Sequence, residues 1–165
     1  MDSQKAGLLV EFNEKWHHLE DQITLHSNSF AAECPQNIDL YMNLYSNIYN
    51  MFKFGDSFLT TKFKIEFLTQ KYRECVENYV RKNLLPPLFT IDNDSPEAVL
   101  TEIQNGCKGY ENFSRRVRTI FTQGSRLQHW LHDPLIEVGS TCNNQMVYEV
   151  VKICARDAVI SLIHK

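Results

Sequence analysis

Thirteen consecutive residues, Leu40 to Phe52, carry no charge, and nine of them are apolar. The other four, Asn43, Ser46, Asn47 and Asn50, are spaced three, one and three apart. On a helix that spacing confines them to one narrow strip. Tyr41, Met42, Leu44, Tyr45, Ile48, Tyr49, Met51 and Phe52 cover the rest of the circumference. A bundle helix needs about a third of its circumference for the core, so this one has apolar surface to spare. Either neighbouring helices wrap it as a central core helix, or the surplus meets a partner. Its Tyr and Met content is that of interface centres. Thirteen residues also fall short of the roughly 20 that a membrane-spanning helix requires.

The rest of the chain reads as helix by the same periodicity. Phe12, Trp16, Leu19, Ile23 and His26 lie on one stripe of a helix over roughly 10–27, followed by a loop from Asn28 to Gln36 that contains Pro35. After the uncharged helix comes a polar link around Lys53 to Ser57, with Gly55. Ile65, Leu68, Tyr72, Cys75 and Tyr79 then define a long third helix, which Pro86-Pro87 is expected to stop. Asp92-Asn93-Asp94-Ser95 before Pro96 reads as a helix start. Gly106 and Gly109 make this fourth helix short, and Phe113, Val117, Ile120 and Phe121 restart a fifth that runs to about Leu131. Pro134 and Gly139 mark a break, and Val147, Val150, Val151, Cys154, Ala158 and Leu162 define a sixth helix from Asn143 to the chain end. No segment alternates with period two. The expectation is an all-α bundle of about six helices.

Composition narrows the function. In 165 residues, 17 basic against 20 acidic side chains leave a net charge of −3 and a pI near 6.1, which gives no global attraction to nucleic acid or an anionic membrane. Cys34, Cys75, Cys107, Cys142 and Cys154 form no CxxC pair, and the N-terminus has no signal-peptide pattern, so cytoplasm and/or nucleus is the expected location. The sequons at Asn93 and Asn112 then read as chance matches. Arg115-Arg116-Val117-Arg118 reads as a solvated face, with phosphate contact as the alternative. His129 and His132, spaced i, i+3, lack further ligands at metal-site spacing. A Cys142–His129 nucleophile pair lacks any activating group or oxyanion loop. Glycine-rich phosphate loops and hydrolase elbows do not occur. The expectation is a non-enzyme without cofactor or metal, acting through protein contacts.

The segment Tyr41-Met42-Asn43-Leu44-Tyr45-Ser46-Asn47-Ile48-Tyr49-Asn50-Met51 resembles the second helix of the cullin N-terminal domain. Trp16, Tyr72 with Val80, Leu84-Leu85-Pro86, Pro134-Leu135-Ile136-Glu137-Val138-Gly139 and Arg156-Asp157-Ala158-Val159-Ile160 extend the similarity over nearly the whole chain, most closely to plant-type cullins that recruit F-box proteins through a small adaptor. The resemblance implies a first cullin repeat over 1–139 and the opening helix of a second over 140–165, hence a truncated cullin-like protein. It also implies that helices two and five bind the F-box adaptor of an SCF-type ubiquitin ligase. Tyr41, Met42, Leu44, Tyr45, Ile48 and Tyr49 would supply one half, and Ile120, Phe121 and Arg126 the other. Thr122-Gln123-Gly124 stands where the family carries bulky, largely aromatic residues, which implies a weakened contact, and Cys107 and Tyr110 replace a tryptophan and a histidine. The family's RING-box subunit binds a C-terminal half that these residues do not include. A structural remnant with no retained partner is the alternative reading.

Overall fold

The computed structural model describes all residues except 1–2, 35–36, 54–60, 91–94 and 165. The described residues form six helical rods and no strand. These are α1 (Ser3–Leu25), the short α2 (Ser27–Ala31), α3 (Ile38–Lys53), α4 (61–90), α5 (Pro96–Ser125) and α6 (128–163). None is long and apolar enough to cross a membrane. The expected stripes become the core: Phe12, Trp16, Leu19 and Ile23 of α1, Leu68, Tyr72, Cys75 and Tyr79 of α4, and Phe113, Val117, Ile120 and Phe121 of α5 are all buried. Trp16 sits at their centre. Its ring meets Phe121 edge-on at 5.6 Å and Phe67 at 6.3 Å, arrangements that favour aromatic quadrupoles. Rod α5 packs against α2, α3, α4 and α6, so it is the element around which the others are arranged.

Three breaks expected from the sequence do not occur. Pro86-Pro87 fails to stop α4 because Val80–Leu84 is a π turn, in which the Leu85 N–H donates to the Val80 carbonyl. The extra residue re-phases the rod, and the α segment Leu85–Thr90 continues from it with both prolines, which have no N–H to donate, directly after the π turn. The Thr90 hydroxyl closes the segment by donating to the carbonyls of Pro86 and Pro87. Gly106 and Gly109 do not split α5 either. A Cβ on Gly109 would lie 2.9 Å from the Tyr79 hydroxyl and 3.6 Å from the Ala31 Cβ, so this glycine marks a close approach rather than a weak point. The single rod ends at Ser125, short of Leu131, because Arg126 turns into the left-handed region at φ 61°. Finally, Pro134 and Gly139 lie inside α6, which begins at Gln128. Gly139 is buried and its carbonyl accepts the Tyr110 hydroxyl at 2.9 Å; the expected start at Asn143 is a π turn within the rod. Pro96 does open α5, but the Asp92–Asp94 cap and the 54–57 part of the link lie outside the described residues.

The Arg115–Arg118 cluster is not uniformly a solvated face. Arg115 is exposed, Arg118 half-buried, and Arg116 is only 9% exposed. The Arg116 guanidinium donates to the carbonyls of Phe30 and Glu33 at 2.8 Å and also to that of Ala32. It thereby satisfies the acceptors left open where α2 ends, as a cation at a helix C-terminus should. Asn112 donates to the Ala31 carbonyl, and Lys108 pairs with Glu33 at 2.8 Å. Positions 108, 112 and 116, one turn apart on α5, thus pin the segment 30–33, which the sequence read as part of a loop.

Two stability predictions follow from these contacts. Arg116→Ala should cost about 3 kcal/mol in urea unfolding, because charged hydrogen bonds contribute about 1.5–3 kcal/mol each and their loss leaves buried carbonyls unpaired. Arg116→Lys should recover only part of that, since an ammonium lacks the planar fork. Tyr72 donates its hydroxyl to the Ser114 carbonyl, and burial pushes its pKa from 10.0 to about 12, against the opposing pull of Arg118. The neutral phenol is the form the fold prefers, so its contribution is complete below pH 10 and is lost as pH rises toward 12. Denaturation midpoints should fall across that window, and Tyr72→Phe should flatten the fall.

Candidate protein-interaction surface

Helix α3 divides its circumference in three. Leu40, Leu44, Ile48, Met51 and Phe52 are buried against the bundle. The polar strip of Asn43, Ser46 and Asn50 is exposed and Asn47 half-buried, the Asn47 side-chain amide donating to the Asn43 Oδ1 at 3.3 Å. Between them runs an apolar shoulder. Ile38 is 73% exposed and Met42 59%, while Tyr45 and Tyr49 are half-buried. Their spacing of four, three and four places them on one stripe. Tyr41 lies between shoulder and core, its ring 5.0 Å from Phe30, and burial raises the pKa of its phenol.

The structure separates the nine residues that the family resemblance assigned to a binding face. Tyr41, Met42, Tyr45, Tyr49 and Arg126 are at least partly accessible. Leu44, Ile48, Ile120 and Phe121 are core residues, Phe121 fully enclosed between Trp16 and Tyr72. These four side chains are buried in the bundle and do not form part of its accessible surface. Sequence reasoning missed Ile38 and Lys53. The first was legible as the residue four before Met42, the second as the cation four after Tyr49; its ammonium lies 5.6 Å from that ring. Arg126 places its guanidinium carbon 4.9 Å from the centre of the same ring.

The Thr122-Gln123-Gly124 departure has a packing explanation. Thr122 is buried, and its hydroxyl donates to the carbonyls of Arg118 and Thr119, so it carries no unmet polar group into the core. A Cβ on Gly124 would lie 3.2 Å from the Cβ and Cγ2 of Ile48 and from the Tyr45 carbonyl oxygen. Gly124 is what lets α5 approach α3 this closely.

The residues weighed for chemistry are not assembled into a site. Cys142 and His129 lie 13 positions apart on one rod, about 20 Å at 1.5 Å per residue, so the pair cannot act together. Burial raises the Cys142 thiol pKa, which removes the thiolate that nucleophilic chemistry needs. His129, His132 and Asp133 line a polar cleft with Arg118, but neither they nor any other three such side chains among the described residues are placed to hold one metal ion.

The described residues form an all-α bundle with an accessible apolar stripe on α3, and the chain is similar in sequence to plant cullins. The chain is 30% identical over 168 residues to cullin-1 of Oryza sativa subsp. japonica, an alignment covering 93% of this chain and 20% of that protein. It is 25% identical over 162 residues to cullin-like protein 3 of Arabidopsis thaliana, covering 94% of this chain and 58% of that one. The chain therefore spans about a fifth and somewhat over half of the length of these relatives. No family model and no solved structure matches it.

Gly124→Ala tests the α3–α5 seat. An exposed helical glycine gains about 1 kcal/mol on becoming alanine. Here the added methyl meets backbone and a buried Cβ, which yield only if α3 moves, so overpacking of about 1–3 kcal/mol should dominate. Urea unfolding should show a net loss of stability.

Proposed function

We propose that this chain acts as a cullin-like scaffold that binds the F-box adaptor of a ubiquitin ligase through the shoulder of α3. The observation that supports this most is the stripe Ile38, Met42, Tyr45 and Tyr49, apolar residues left accessible on a helix whose opposite face is already satisfied by the core. Aromatic and Met side chains of this kind supply the anchors of protein interfaces. The similarity to cullin-1 and cullin-like protein 3 gives that stripe its candidate partner class. The fit of Gly124 against Ile48 favours a retained face over an eroded one, because the substitution that looked like decay is matched by its neighbour.

Calorimetric titration of the purified chain with F-box adaptor tests the reading. The expected result is micromolar or tighter binding. Tyr45→Ala should weaken it by 2 kcal/mol or more, about thirtyfold, as truncation of an interface anchor does. Tyr45 is half-buried, so circular dichroism should accompany the titration to show the variant folded. A folded wild-type chain that gives no heat and no signal by a second method would refute the proposal.

A further inference from the structure

We propose that Arg126 is a positioning residue, whose left-handed backbone holds its guanidinium on Tyr49 and thereby orders that ring at the end of the α3 shoulder. The inference rests on the adaptor-binding reading of this face. Arg126 has the one positive φ among the described residues, 61°, at the C-cap of α5. Glycine takes this conformation without penalty, whereas any residue with a Cβ is strained there. A cap alone therefore gives no reason for arginine. The main chain makes an ordinary capping bond, Arg126 N–H to the Gln123 carbonyl at 3.3 Å. What arginine adds is the side chain, which is exposed and reaches across from α5 to lie 4.9 Å from the Tyr49 ring centre. That is within cation–π range and joins the two helices at the rim of the shoulder.

An exposed cation–π contact contributes little to folding, but it restrains a ring that would otherwise choose among rotamers. A side chain already ordered before the partner arrives avoids the ordering cost at binding. Backbone strain kept at such a position is characteristic of functional sites. Lys53, 5.6 Å from the same ring, approaches it from α3 itself and cannot link the two helices.

Arg126→Gly separates this role from a structural one. Glycine relieves the strain, so Tm should stay level or rise, while adaptor affinity should fall about fivefold, the penalty of having to order one interface side chain on binding. Arg126→Lys keeps both strain and charge and should restore most of the affinity without raising Tm. Unchanged affinity in Arg126→Gly, or a fall in Tm together with affinity, would overturn the proposal. If the wild-type chain binds no adaptor, the functional reading fails, and the free protein decides the positioning role by NMR. Side-chain protons of Arg126 should then show an upfield ring-current shift that Tyr49→Leu abolishes; no such shift in the wild-type chain overturns it.

Discussion

The surface of this protein depends on how closely α5 can lie against α3. Helices packed through ordinary side chains stand 8–10 Å apart, and the absence of a Cβ at Gly124 lets the Tyr45 carbonyl and the Ile48 side chain come directly onto the α5 backbone. With that seat made, Ile48 and Leu44 are committed to the core and α3 can rotate no further inward. Met42, Tyr45, Tyr49 and Ile38 are left on the outside as a consequence. The exposed shoulder is thus the residue of a packing solution, fixed by one glycine on the partner helix.

The same rod fixes the other end of the bundle with charge rather than shape. Arg116 carries a buried guanidinium that meets carbonyl oxygens where α2 ends, and Phe30, held there, supports Tyr41 at 5.0 Å. A link therefore runs from a buried cation on α5, through a five-residue helix, to the first tyrosine of α3. Arg116, Gly124 and Arg126 lie eight, then two, positions apart on one rod and its cap, and each constrains a different part of α3 or its support. A single long helix thus places several side chains of α3 and its support rigidly.

Period was legible in the sequence and phase breaks were not. The stripes through Trp16, Leu68–Tyr79 and Phe113–Phe121 predict the buried faces because 3.6-residue spacing is a direct geometric signal. Pro86-Pro87, Gly106, Gly109, Pro134 and Gly139 mislead because local rules treat proline and glycine as stops. Here a π turn re-phases the helix ahead of one pair, and tertiary contacts with Tyr79, Ala31 and Tyr110 account for two of the glycines. The surplus on α3 was visible in its uncharged run, whereas the close seat of Gly124 on Ile48 depends on which helix lies against α5. That is a long-range fact which no window of sequence contains.

The perturbed tyrosine and cysteine ionisations share one direction and one leading cause. Tyr72, Tyr79, Tyr110, Cys75 and Cys142 all have raised pKa values with burial as the leading cause, so the fold favours their neutral forms. Glu33 and Lys108, shifted by mutual attraction, form an exposed pair on the segment beyond α2. Tyr72 and Tyr110 bury an apolar ring while the hydroxyl finds a backbone carbonyl, whereas Tyr45 and Tyr49 leave part of theirs accessible on α3, two uses of one side chain with an apolar body and a polar tip.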